Sequence, residues 1–229
     1  VNSQQFEIAT QLPSREPANA VRYAVLDLET TGLSPRESNV VEIAIVELDE
    51  HGDITKEWTS LVNPPFHGEL GATHIHGITR EMVSGAPTML QLADEIIEQL
   101  RDHIIVGHVV EFDLAHIIGE FERIGRPLPN VRAVSLCTRD LARSYIDAPR
   151  TLKACCDAVG IELRDAHSAL GDTRATAQLF KVFLNRIQLD VDQSRLEDIS
   201  KRKERLADLA WTQSFFHHEL SFAQPRSAS

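Results

Sequence analysis

Five times in this chain an acid stands two residues from another acid: Asp27/Glu29, Glu47/Asp49, Glu111/Asp113, Glu120/Glu122 and Asp190/Asp192. With 34 acids among 229 residues, about five such pairs arise by chance, so spacing alone says nothing. Context separates the first pair. It closes the apolar run YAVLDLE, where alternate residues of a strand share a face, and Thr30, Thr31 and Gly32 then turn the chain. Two carboxylates on one strand face suit a metal ion, although an exposed strand end is the plainer reading if no other residues join them. Two others do. On an ideal helix, Asp113 shares a face with Ile117, Phe121 and Ile124, and Asp172 with Leu179, Phe183 and Ile187. A charge turned toward a core is costly without a partner. Helix capping could account for either aspartate, since acids are favoured in a first turn. Two inward acids plus the strand pair make metal binding the more economical account. Four carboxylates fit magnesium or manganese, whereas zinc calls for more His or Cys. His74 and His76 have no third ligand near them in sequence, which argues against zinc there.

The elements that hold these residues are legible in the hydrophobic pattern. Residues 1–20 carry Pro13 and Pro17 without a sustained period and read as a flexible leader. Tyr23 to Leu28, Val40 to Leu48 and Ile54 to Val62 read as three strands, antiparallel in order. The pattern then alternates: helix over Thr88–Arg101, strand over Ile104–Val109, helix over Asp113–Ile124, strand over Val131–Cys137, and helices over Leu152–Val159 and Ser168–Ile187. The order βββαβαβ followed by helices predicts an α/β domain over 21–188, with a mixed sheet flanked by helices. No internal repeat is present. Residues 189–229 change composition, from the mixed charge of LEDISKRKERLADLA to Trp211, Phe215 and Phe216. A helix packing back on the domain is the plainer expectation there, and a partner-binding tail the sharper one.

Composition bounds the rest. A formal charge of −11 argues against a protein that coats nucleic acid through bulk electrostatics, because that binding needs Lys and Arg to displace counterions. It leaves room for an enzyme whose carboxylates recruit cations to meet the phosphate. Cys137, Cys155 and Cys156 lack metal or redox spacing. No apolar run approaches membrane-spanning length and residues 1–17 do not resemble a signal peptide, so the expectation is a cytoplasmic protein without a membrane partner. The first residue is Val, as in a fragment of a longer chain.

DLETTGL (27–33), GHVVEFD (107–113) and HSALGD (167–172), in this order, resemble the three motifs of the DEDDh 3′ to 5′ exonucleases. LDLETTGL and HIHGITREMV (74–83) look most like the epsilon proofreading subunits of bacterial DNA polymerase III and their relatives. The resemblance covers about residues 22–188 and implies a ribonuclease H-like fold. It further implies two divalent cations, Mg²⁺ or Mn²⁺, with Asp27, Glu29 and Asp172 on the nucleophile-side ion and Asp27 and Asp113 on the second. It makes His167 the general base, and places Thr30, Thr31, His76 and Phe112 around a terminal nucleotide. The implied substrate is nucleic acid with a free 3′ end, single-stranded or frayed DNA before RNA, released as nucleoside monophosphates. A polymerase or other protein would be met through residues 190–229. An exoribonuclease and a noncatalytic, polymerase-associated module are the alternatives. One position departs from the family: Val109 stands where Asn is usual, and its side chain cannot hydrogen-bond.

Overall fold

The computed structural model describes residues 20–66, 69–190 and 192–211. The expected leader, apart from Ala20, and the part of the expected C-terminal extension beyond Trp211, Phe215 and Phe216 included, lie outside the described residues. Three strands come first, β1 (Tyr23–Thr30), β2 (Val40–Leu48) and β3 (Ile54–Leu61), paired antiparallel in sequence order. Asp49 closes the β2–β3 turn by accepting the N–H groups of His51 (2.9 Å) and Asp53 (2.8 Å), while Gly52 takes the left-handed φ of 79°.

Two single-turn helices follow, α1 (Thr73–His76) and α2 (Arg80–Val83), then α3 (Met89–Leu100), which Thr88 and Gln91 open with a reciprocal capping box. Next come β4 (Ile104–Gly107), α4 (Val110–Arg123), a 3₁₀ turn (Val131–Val134) and β5 (Ser135–Cys137). Four helices complete the described chain: α5 (Thr138–Tyr145), α6 (Leu152–Val159), α7 (Ala169–Leu189) and α8 (Gln193–Leu206). β4 runs parallel to β1, and β5 to β4, giving the sheet order β3-β2-β1-β4-β5.

The central strand β1 is covered on both faces. Ala24, Leu26 and Leu28 pack with α3 and α4 around Ile96, Leu114, Ile117 and Phe121. Tyr23 and Val25 pack with Phe180, Phe183 and Ile187 of α7, the Tyr23 and Phe180 rings meeting edge-on at 4.8 Å. Each fully buried Leu, Ile or Phe contributes roughly 1.5–3 kcal/mol against exposure, so the two layers fix the strand alternation firmly. α8 lies on the α7 layer through Ile199, Leu196 and Leu206, and Tyr145 donates to Asp192 at its start (2.7 Å).

The sequence pattern misses in several places, among them the single-turn helices α1 and α2. The strand expected over Ile104–Val109 stops at Gly107, and Val109 is the left-handed N-cap residue of α4 (φ 68°, ψ 43°). Two adjacent valines read as strand, yet the chain must reverse there to start a helix over the sheet. The strand expected over Val131–Cys137 is a 3₁₀ turn followed by three strand residues, and α5, with few apolar residues, was not anticipated.

Candidate active site

Strand alternation sends Asp27 and Glu29 to the same face as Tyr23 and Val25, the face covered by α7. Asp172 sits in the first turn of α7, and one ligand oxygen each from Asp27, Glu29 and Asp172 lies within 4.8 Å of the others. Asp113 comes from the first turn of α4, on the opposite layer. It is 3% exposed and stands outside that triad, close enough to be the largest electrostatic influence on Asp27.

The carboxylates are held against their preference for ionisation. Burial, then the charges of Asp113, Asp172, Glu29 and Glu42, raises Asp27 well above the ordinary carboxylate range. Glu29 is pushed up to about 8 by burial and by Asp172 and Glu42. Asp113 is raised by burial, although the backbone N–H of Leu28 and its own N–H favour the charged form. Burial also lifts Asp172, opposed by the backbone N–H and imidazole of His167, and its Oδ1 is buried without a hydrogen-bond partner. Crowded acids with an orphan oxygen are what a cation would relieve. The donors are all hard carboxylate oxygens, so the set fits magnesium or manganese.

His167 is exposed in the turn before α7, with a left-handed φ of 67°. Its loop packs so tightly on α7 that a Cβ on Gly171 would meet the carbonyl oxygens of Asp165 at 2.4 Å and Arg164 at 2.7 Å. Ser168 caps α7 through the N–H of Gly171 (3.1 Å).

Of the residues expected around a terminal nucleotide, Thr30 donates to the Gly32 carbonyl (2.8 Å) and Thr31 accepts the Asn39 N–H (2.9 Å), so both hydroxyls shape the turn. A Cβ at Gly71 would lie 1.9 Å from the Thr31 carbonyl oxygen, so only glycine lets the segment leading to α1 close on that turn. His76 ends α1, buried, with Nδ1 accepting the Ile78 N–H (3.0 Å). Burial holds its pKa below the ordinary value, against a backbone hydrogen bond with Leu70 that favours the charged form. Phe112 is half-buried beside Asp113, its ring centroid 4.3 Å from that of His116.

Three residues near the site were not anticipated. Glu42 faces Glu29 across the β1–β2 ladder and accepts the Ala169 N–H (2.9 Å), a carboxylate at the positive end of α7. Glu120, buried, accepts from Asn39 Nδ2 (3.1 Å), the Val40 N–H (2.9 Å) and Arg123 (2.9 Å), tying α4 to the loop that carries Thr31. Its position seven residues after Asp113, on the same helix face, was the signal available. His108 links the end of β4 to Thr138 (2.9 Å) and the Arg150 carbonyl (3.0 Å), and only contacts at long sequence separation reveal that.

Comparison with known proteins gives the family and the fold. The RNase T family model, described as Exonuclease, matches residues 24–180. DNA polymerase III subunit epsilon of Aquifex aeolicus is 34% identical over 160 residues, covering 69% of this chain and 78% of its own. DNA polymerase III PolC-type of Bacillus cereus is 35% identical over 161 residues, and the match spans 69% of this chain but 11% of that much longer protein. Among solved structures, E. coli Exonuclease I in complex with a dT13 oligonucleotide superposes with a TM-score of 0.67 at 20% identity, over 76% of this chain and 43% of that one, a likeness of fold. With its mixed, helix-flanked sheet of the ribonuclease H-like kind, the chain belongs to the exonuclease family.

Proposed function

We propose that the protein is a DEDDh-type 3′ to 5′ exonuclease that releases nucleoside monophosphates from single-stranded or frayed DNA ends. The observation that carries this reading is the convergence of Asp27, Glu29 and Asp172 within 4.8 Å at one end of β1. In this reading Asp27, Glu29 and Asp172 would hold one divalent ion, and Asp27 with Asp113 would help to hold a second. Two such ions, when bound, supply an activated water on one side of the phosphodiester and charge stabilisation for the departing 3′ oxygen on the other. His167 accepts the proton of the attacking water, the general-base role that imidazoles most often take. The exposure of His167 lets it reach substrate and pass the proton to solvent. Thr30, Thr31, His76 and Phe112 surround the terminal nucleoside, which gives the preference for a free 3′ end.

A polymerase partner, met through residues 190–229, is proposed from the epsilon relative, whose name is that of a polymerase subunit. The proposed location is cytoplasmic. No helix among the described residues is long and apolar enough to cross a membrane. A noncatalytic module is disfavoured because none of the four carboxylates is missing.

The test is degradation of end-labelled DNA and RNA oligonucleotides with magnesium, manganese or EDTA, alongside circular single-stranded DNA and a 3′-blocked strand. We expect metal-dependent shortening from the 3′ end, faster on DNA, with circles and blocked ends resistant. The Asp27→Ala variant should be folded and inactive. Activity in excess EDTA, or rapid cutting of circles, would refute the reading, and faster RNA digestion would favour an exoribonuclease.

A further inference from the structure

A second concave site lies on the other side of α4. It is a cleft of about 450 Å³ between the first turn of α4, the end of β5 with the start of α5, and α8. Five lining residues are arginines, Arg132, Arg139, Arg143, Arg195 and Arg202, against three acids, so the lining carries +2 in a chain of −11. The acids leave part of that charge unmatched. Glu111 takes Arg132 (2.7 Å), Asp140 takes Arg143 (3.5 Å) and Asp198 takes Arg202 (3.2 Å). Arg139 and Arg195 form no ion pair among the described residues. Half-exposed pairs of the other kind are weak and can exchange a carboxylate for a phosphate. Guanidinium groups present a planar fork of donors that matches phosphate oxygens.

The cleft is placed for a strand that reaches the carboxylates. β1, β4 and β5 are parallel, so Asp27 and Glu29 near the end of β1 and the cleft at the end of β5 lie toward the same C-terminal end of these strands. Glu111 and Asp113 are two residues apart on α4, about 200° around the helix, so the width of α4 separates the cleft from the carboxylates. That separation is about the helix diameter of ~10 Å, a span that a few nucleotides cover. α8 is fixed as the far wall by the buried Ile199 and by Arg205 donating to the Ala133 carbonyl (3.4 Å).

We infer that this arginine cleft binds the phosphate backbone of the nucleic-acid strand upstream of the terminal nucleotide. The identity of the strand rests on the exonuclease reading above. The cleft supplies, on one face of an acidic protein, the local positive charge that composition alone argued against.

The test compares wild type with Arg139→Gln/Arg195→Gln, neither residue belonging to the catalytic set. Binding of 5′-fluorescein-labelled dT16 is followed by anisotropy in EDTA across a salt series. Hydrolysis is followed in magnesium with dT2 to dT16, and with the p-nitrophenyl ester of thymidine 5′-monophosphate, which is too small to reach the cleft. Expected are ~10-fold weaker dT16 binding, a salt slope shallower by about 1, and unchanged hydrolysis of the ester, with unchanged melting temperature. Arg139→Lys/Arg195→Lys should restore much of the slope.

Equal affinity and slope in the two proteins would overturn the cleft. So would a wild-type affinity that does not grow from dT2 to dT16, the behaviour of a mononucleotide site, or displacement of dT16 by poly-glutamate at equal charge concentration, the behaviour of a site for acidic protein. Loss of strand binding in the variant together with no hydrolysis by wild type would instead refute the exonuclease reading and leave the cleft standing.

Discussion

Val109 occupies a left-handed conformation (φ 68°, ψ 43°) that a branched Cβ makes costly, by roughly 1–2 kcal/mol for an L-residue. The departure from Asn at this position therefore has a backbone meaning as well as a hydrogen-bonding one, since Asn enters this conformation more readily. Val109→Asn and Val109→Gly should raise the melting temperature by roughly 2–4 °C, the size expected of ~1 kcal/mol in a domain of this length. Val109→Ala should give less, because its Cβ remains. Catalytic constants should stay near wild type, and a large change in kcat without a change in melting would refute the backbone account. His167 is the other residue whose role is set by a single side chain. His167→Ala should lower kcat by ~10²–10⁴-fold, while magnesium binding, read by calorimetry, persists. Unchanged turnover would remove it from the mechanism.

The elements act as levers on the same site. α7 delivers Asp172, and three interactions set how its first turn meets the sheet: Glu42 at the Ala169 N–H, Ser168 at the Gly171 N–H, and the close approach of Gly171 to the loop before it. A methyl at Gly171 would press on two backbone carbonyls, which cannot rotate away as a side chain would. Gly171→Ala should therefore destabilise by ~1–3 kcal/mol despite the better helix propensity of alanine, and should depress kcat by moving the His167 loop. A melting curve beside steady-state rates checks both, and a more stable, fully active variant would show that the loop yields. On the other layer, Glu120 and Arg123 hold residues 35–40 against α4, so the turn bearing Thr31 is as firmly tied as the strand that precedes it.

At the scale of the whole molecule, the carboxylate cluster links stability to pH and to metal. Folding raises Glu29 from an ordinary 4.5 to about 8, and Asp27, Asp113 and Asp172 move in the same direction. Between those two values the folded protein keeps a proton that the unfolded chain has released. Stability of the metal-free protein must then fall as pH rises through this window, and acid restores it. The melting temperature in EDTA should decline from pH 5 to pH 8. Magnesium should raise it most at pH 8, by binding the ionised cluster of the folded state alone. Asp27→Asn should flatten the EDTA profile and lose most of the magnesium effect. A metal-free profile that rises toward pH 8 would mean that the four acids are not mutually strained.

Local periodicity determined most of the architecture. β2 and α6 have the ends read from the sequence, and the alternation in YAVLDLE already put Asp27 and Glu29 on one face. Inward placement of Asp113 and Asp172 followed from helical spacing to Phe121 and Phe183, both fully buried. The ordered motifs named the family because they record which side chains must meet. Only the tertiary structure decided how they are held. Glu42 meets Ala169 across 127 positions and Glu120 meets Val40 across 80, pairings for which no local pattern exists. The reversal at Val109 overrode the strand preference of valine because the chain must leave β4 and cross above the sheet. The arginine cleft gathers side chains from four segments, each unremarkable alone, since charge along a sequence becomes a field only once folding brings it to one surface.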